Sequence, residues 1–277
     1  MSVVINTNYA AVLARKNLHS VQRAMDRSVE RLSSGKRINN AADDAAGSAI
    51  AGRMESQIRG LTMGIRHAKD GQSLVSTAEG AMQELNKMLQ RMRELAIQSA
   101  SGVASATDRD YLNLEMKQLV SQINAVSVNT KFNDQALLEG GTFTFYTDID
   151  VAGSAITTVA ADMAASALGV SALTVSIGGG VNQTALSTVV TKIDAALAIV
   201  DNRRAALGAV SNRFDHIIDN LQNVIMNTES SKSRIVDADF SVETTNLTRN
   251  TVLQQAATSM LAQANAQKNS ILQLIQQ

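Results

Sequence analysis

His19, His67 and His216 are the chain's three imidazoles, and they stand far apart. No HExxH or paired-ligand spacing joins them, so each reads as a helix-surface or interface residue. Asp43 and Asp44 are adjacent acids. Neighbouring residues on a helix point in different directions, so this pair reads as a helix cap rather than a shared-proton dyad. Gly35-Lys36 has the look of the end of a phosphate loop. The glycine five positions upstream is missing, however, and Arg37 stands where Ser or Thr is needed. Gly178-Gly179-Gly180 has no lysine after it and reads as a turn. Cys is absent, which removes disulfides, thiolate metal sites and cysteine nucleophiles. The chain is expected to be no enzyme and to carry no catalytic residue, metal or cofactor.

The elements around these residues point elsewhere. Of the 277 residues 45% are hydrophobic but only 3% aromatic, with no Trp. Small aliphatic side chains must fill the core, which suits closely spaced helices. Pro is also absent, so long helices can run unbroken. Acids and bases balance at 25 each. Nine basic and five acidic residues lie in the first sixty, without interleaved aromatics. Neither the charge nor its distribution points to nucleic acid. No apolar run reaches the ~18 residues of a membrane-spanning helix. Arg15 and Lys16 follow the apolar Val3–Ile5, the reverse of a secretory leader, so no cleaved signal peptide is expected.

Both ends carry apolar seams. Ala11, Ala14, Leu18, Val21, Met25, Ser28 and Leu32 recur at 3,4 spacing, and Leu253, Ala257, Met260, Ala264, Gln267, Ile271 and Leu274 do the same. Such a seam asks for a second helix to cover it. A second helix is expected after Asp43-Asp44, with Leu74, Ala78, Ala81, Leu85, Met88, Met92 and Leu95 on one face. A third spans about 108–128, capped by Thr107 or Asp108, with Leu112, Met116, Leu119, Ile123 and Val126 inward. A fourth, about 187–228, has a seam interrupted by Arg204 and Ser211. Residues 141–191 differ: they hold three acids and no Lys or Arg. Their alternating runs Thr142–Tyr146 and Leu173–Ile177 read as short strands or hairpins. The fold class expected is mainly α: an elongated coiled-coil or helical-bundle rod with a small β-hairpin-containing middle. Its ends order only on contact with partners, because each is a long helix with few large apolar residues.

Longer motifs then narrow the class. Leu32–Gly47 (LSSGKRINNAADDAAG) resembles the N-terminal signature of bacterial flagellin, as do Asn6-Thr7-Asn8 and Leu89–Ala100 (LQRMRELAIQSA). Ser233–Phe240 (SRIVDADF), Leu253-Gln254-Gln255-Ala256 and Met260–Asn265 (MLAQAN) are similar to its C-terminal part. The resemblance covers about 1–139 and 187–277. It implies an inner-core helix at 1–33, a spoke at 34–46 and outer-tube helices at 47–139. A short β-containing middle at 140–186, an outer-tube helix at 187–232 and an inner-core helix at 233–277 complete the layout.

The resemblance further implies a secreted subunit of the extracellular flagellar filament, a helical homopolymer exported unfolded through the type III apparatus. Partners implied are other copies of the chain, an export chaperone on the C-terminal segment, hook-junction and cap proteins, and a host Toll-like receptor. No nucleic acid or membrane insertion is implied. Inner-core packing falls to Leu18, Val21, Met25, Leu32, Leu253, Met260, Ile271 and Leu274. Receptor recognition falls to Arg91, Leu95, Gln98 and Glu115. A hook–filament junction protein shares the terminal pattern and is the nearest alternative. A coiled-coil signalling protein is a more distant one.

Overall fold

A computed structural model of the chain describes residues 7–147, 155–173 and 183–275, with side chains placed except at 159–160, 183 and 267–275. The chain divides into two compact units, Met1–Ile58 with Met226–Gln277, and Arg59–Ile225.

In the first unit, α1 spans Tyr9–Ser34. Asn8 caps it, its side-chain oxygen accepting the Ala11 N–H at 3.1 Å. Gly35 ends it in the left-handed region, at φ 70°, where a side chain is disfavoured. The helix α5, Phe240–Ile275, lies antiparallel to α1. Pairs that bridge the two include Asn8 with Ala264, Gln22 with Gln254 and Arg31 with Glu243. Their residue numbers sum to between 272 and 276, so one register holds along the whole pair. Between the helices, Lys36 and Asp237 form a single antiparallel bridge.

The second unit holds α3, Ala106–Asn129, and parts of two long helices, α2 (Ala45–Ser99) and α4 (Gln183–Val236). Its core is built from Leu85, Leu89, Met92 and Leu95 of α2, Met116 and Ile123 of α3, and Ile193, Val200 and Phe214 of α4. On α2 the expected seam is widened by Val75, Met82, Leu89 and Ala96, all buried. A helix with neighbours on two sides needs a broader apolar stripe than a two-helix seam.

Polar rungs join α2 to α4. Gln72 donates to Asp215 at 2.5 Å, Asn86 to Asp201 at 2.8 Å and Arg93 to Asp194 at 2.7 Å. Arg204 approaches Glu79 at 3.7 Å. On α2 these rungs are spaced by seven residues, two turns of helix. Arg204, which breaks the apolar seam of α4, is therefore one of the rungs.

The expected run Thr142–Tyr146 lies in strand β3 (Gly141–Tyr146), antiparallel to β4 (Ala155–Ala160). Phe145 meets Phe214 edge-on, with ring centroids 5.7 Å apart. The run Leu173–Ile177 lies, after Leu173, outside the described residues.

Three expectations need correction. A hairpin, β1 (Lys131–Phe132) with β2 (Gln135–Ala136), adds short strands to the 47–139 stretch of outer-tube helices, beyond the expected end of its third helix near 128. Asn133 and Asp134 turn it, both at positive φ, as a two-residue primed turn requires. The cap of α3 is neither Thr107 nor Asp108 but Ser105. Its hydroxyl accepts the Asp108 N–H while Asp108 accepts the Ser105 N–H. Finally, α4 runs on to Val236, past its expected end near 228, and the last helix starts at Phe240.

Candidate assembly surface

The seam expected on α1 is the face it turns to α5. Ala11 and Ser28 are buried, while Ala14, Leu18, Val21, Met25 and Leu32 are half-buried. On α5 the covered face is Glu243, Leu247, Asn250, Gln254, Ala257, Leu261 and Ala264, again at 4,3 spacing. This differs from the seam read from the sequence, which shares only Ala257 and Ala264 with it. Leu253 is 45% exposed and Met260 63% exposed, both beside the covered face. The side chains of Ile271 and Leu274 lie outside the described residues. The covered face was missed because three of its seven positions are polar or charged, so an apolar template passes it over.

Levelled by the common register, the two seams mostly pair large with small, though Ala11 stands level with Ala264 and Val21 with Gln254. Leu18 stands level with Ala257, Met25 with Asn250, Ser28 with Leu247 and Ala14 with Leu261. Leu32 and Arg31 stand level with Glu243, where Arg31 donates to the carboxylate at 2.9 Å. Burial pushes the Glu243 carboxyl up. Hydrogen bonds from Arg31, Ser28 and Asn246, with the Arg31 charge, outweigh burial and hold it below the usual carboxylate range.

The connection 35–44 is tied to the same unit. Ala238 donates to the Gly35 carbonyl at 3.0 Å, and Arg37 donates through its backbone to Val236 at 2.6 Å and its guanidinium to Ile235 at 2.6 Å. Asp43 accepts the N–H groups of Asn39 and Asn40, which hold its carboxyl low. Asp44 alone takes the capping role expected of the pair, accepting the Gly47 N–H at 2.9 Å.

Away from their mutual seam, α1 and α5 are rich in exposed apolar side chains. Tyr9, Val12, Leu13 and Val29 project from α1, and Phe240, Val242, Val252, Leu253 and Met260 from α5. Isolated exposed hydrophobics are ordinary, but a concentration on two paired helices marks an interaction face.

In the second unit, Arg91 donates to Glu115 at 2.9 Å and to Glu94 at 3.1 Å. Hydrogen bonds donated to Glu115 and then Glu94 raise the guanidinium's already high pKa. Gln98 is exposed. Leu95, expected to share their recognition role, has no exposed surface. It is a core residue, and any contact at this face must be made by the side chains around it.

Among the described residues no three His, Cys, Asp or Glu side chains come together as a metal site. No described helix is long and apolar enough to cross a membrane. An open groove of about 640 Å³ lies beside β3, lined by Asp70, Phe132, Phe143 and Phe145 among others. Among its described lining residues Asp70 is the ionisable one.

The model of the bacterial flagellin N-terminal helical region matches residues 5–142, and that of the C-terminal helical region matches 190–275. The chain belongs to the bacterial flagellin family. It is 38% identical to a flagellin of Halalkalibacterium halodurans, covering 99% of this chain and all of that one. It is also 38% identical to the flagellin of Bacillus subtilis, over 98% and 99% of the two chains. With flagellin E of Vibrio cholerae the identity is 32%, over 99% of this chain and all of that one. A putative flagellar hook-associated protein from Vibrio parahaemolyticus shares the fold, with a TM-score of 0.59 at 12% identity, over 70% of this chain and all of that one. Flagellins are structural subunits of the flagellar filament, not enzymes, and the two regions that match the family are helical, as the long helices described above are.

Proposed function

We propose that the α1–α5 pair forms the innermost packing layer of the filament, each pair closing its exposed apolar face against the same face of neighbouring copies. The observation that carries this is the ring of exposed side chains around the pair, Leu253 and Met260 foremost. A two-helix contact covers one stripe of each helix, and a face this apolar gains stability when further helices cover the rest. The ends then order as the polymer grows, so the chain leaves the cell unfolded through the type III apparatus. An export chaperone shields the C-terminal segment before export. Hook-junction and cap proteins meet the same terminal helices at the two ends of the extracellular filament.

On the free subunit, a host Toll-like receptor reads the exposed Arg91, Gln98 and Glu115, whose backbone positions are held by Leu95 beneath them. Purified monomer activating receptor-bearing cells supports this; inactivity beside an active control overturns it.

Polymerisation is tested by adding salt or filament seeds to purified chain and inspecting the product by electron microscopy. Filaments are the expected product. A cell lacking the gene separates subunit from junction protein: loss of filament with an intact hook fits the subunit, and release of unpolymerised flagellin fits the junction protein.

A further inference from the structure

Within the described part of α5, 240–266, Glu243 and Arg249 are the charged residues. Glu243 is its one acid and is only 6% exposed. The helix it faces, α1, is basic, with five Lys or Arg against two acids. Of those bases, Arg31 reaches the carboxylate, 2.9 Å away, while Ser28 of α1 and Asn246 of α5 supply further hydrogen bonds. Asp43, on the connection after α1, lies in the field of the same Arg31.

The rest of the α1–α5 seam is permissive. Alanines, Asn250 and Gln254 oppose the larger residues. After a shift of one heptad Leu18 still meets Asn250 or Ala264, and Val21 meets Leu247 or Leu261, so the apolar face stays covered. Such a shift is ruinous only for the ion pair. In one direction Glu243 comes level with Met25, with Arg31 two turns away; in the other it passes the end of α1 at Ser34. Opposite Met25 the carboxylate would be buried without a partner, which is strongly destabilising; past Ser34 it loses both Arg31 and the α1 face that covers it.

We propose that Arg31 and Glu243 fix the register in which α1 and α5 pair, selecting one heptad alignment from several that the apolar seam alone would accept. A single buried polar group sets alignment in this way in coiled coils. The inference rests on the assembly reading above, because it concerns the pair as it closes in the polymer.

The chain's lack of cysteine makes alignment measurable. Leu18→Cys with Ala257→Cys reports the native register. Ala11→Cys with Ala257→Cys, and Met25→Cys with Ala257→Cys, report a shift of one heptad either way. Each double-cysteine chain is added as a minority to cysteine-free subunits during polymerisation, so a variant unable to polymerise alone is still read and cross-links form within one chain. Native-sequence chains are expected to oxidise at 18–257. With Glu243→Gln, the shifted products should rise by about tenfold or more relative to the native one. The exchanged pair Arg31→Glu with Glu243→Arg should restore the native product. Unchanged cross-linking in Glu243→Gln, or no recovery in the exchanged pair, overturns the register lock. Cysteine-free subunits that fail to polymerise overturn the assembly reading instead.

Discussion

Gly71 of α2 lies so close to Phe214 of α4 that a β-carbon on residue 71 would stand 2.5 Å from the ring's Cζ. Phe214 is fully buried and also meets Phe145, so the ring has little room to yield. Replacing glycine by alanine inside a helix normally gains about 0.5–1 kcal/mol, but overpacking a core costs about 1–3 kcal/mol. Gly71→Ala is expected to lower the urea midpoint. In a Phe214→Leu background the same change should become neutral or stabilising. Stabilisation by Gly71→Ala alone contradicts the close approach.

The Arg31–Glu243 pair gives the first unit an acid limit. The carboxyl's pKa is held down in the folded state, so its stabilisation is present above the ordinary glutamate value of about 4.3 and is lost as pH falls through the depressed one. Filaments should loosen on acidification, and Glu243→Gln filaments should start weaker and show a shallower acid dependence. Sedimentation of polymer across a pH series checks this; identical profiles for the two proteins would rule it out.

Leu253→Asp and Met260→Asp each place a charge on the exposed apolar face of the α1–α5 pair. A charge trapped between packed helices costs several kcal/mol, on the order of a buried unpaired ion. Both variants are expected to abolish filaments yet leave the thermal unfolding of the second unit unchanged. Normal filaments under the electron microscope would refute the packing role.

The capping box at Ser105 predicts a smaller, local effect. Ser105→Ala removes the acceptor for the Asp108 N–H and frees the Asp108 carboxylate, whose pKa is lowered chiefly by the Ser105 hydroxyl. The loss should be about 1 kcal/mol, seen as a lower midpoint and faster amide exchange in the first turn of α3. Thr107→Ala should change stability little.

Arg91→Ala removes an exposed cluster of charge with Glu94 and Glu115. Exposed ion pairs contribute about 0–1 kcal/mol, so the fold should persist while activation of the Toll-like receptor falls. Receptor signalling at matched monomer concentrations is the measure, and undiminished signalling excludes Arg91 from the recognition face.

Helix positions were legible because 3,4 spacing is a direct record of which side chains share a face. Seam residues Leu18 and Met25 of α1, and Leu85 and Met92 of α2, lie where that spacing puts them. Periodicity does not say how many neighbours a helix has, so the second stripe of α2 through Met82 and Leu89 does not follow from it. It also fails where a seam carries polar residues: Glu243 and Gln254 look like surface positions until α1 is placed against them. The β1–β2 hairpin left a signal in Asn133-Asp134, two residues tolerant of positive φ, but its strands are too short to show alternation. The resemblance names Leu95 for receptor contact, while its place in the α2 seam marks it as core, and core is where it lies.

The rungs between α2 and α4 have a mechanical consequence. Because their α2 members recur every seven residues, sliding one helix along the other by a heptad would bring Glu79 level with Asp215 in one direction and with Asp201 in the other. Either displacement trades an attraction to Arg204 for carboxylate facing carboxylate. Slippage of one heptad between these two helices is therefore disfavoured both ways, and their charges mark the one alignment in which Asp194, Asp201 and Asp215 of α4 each meet a donor on α2.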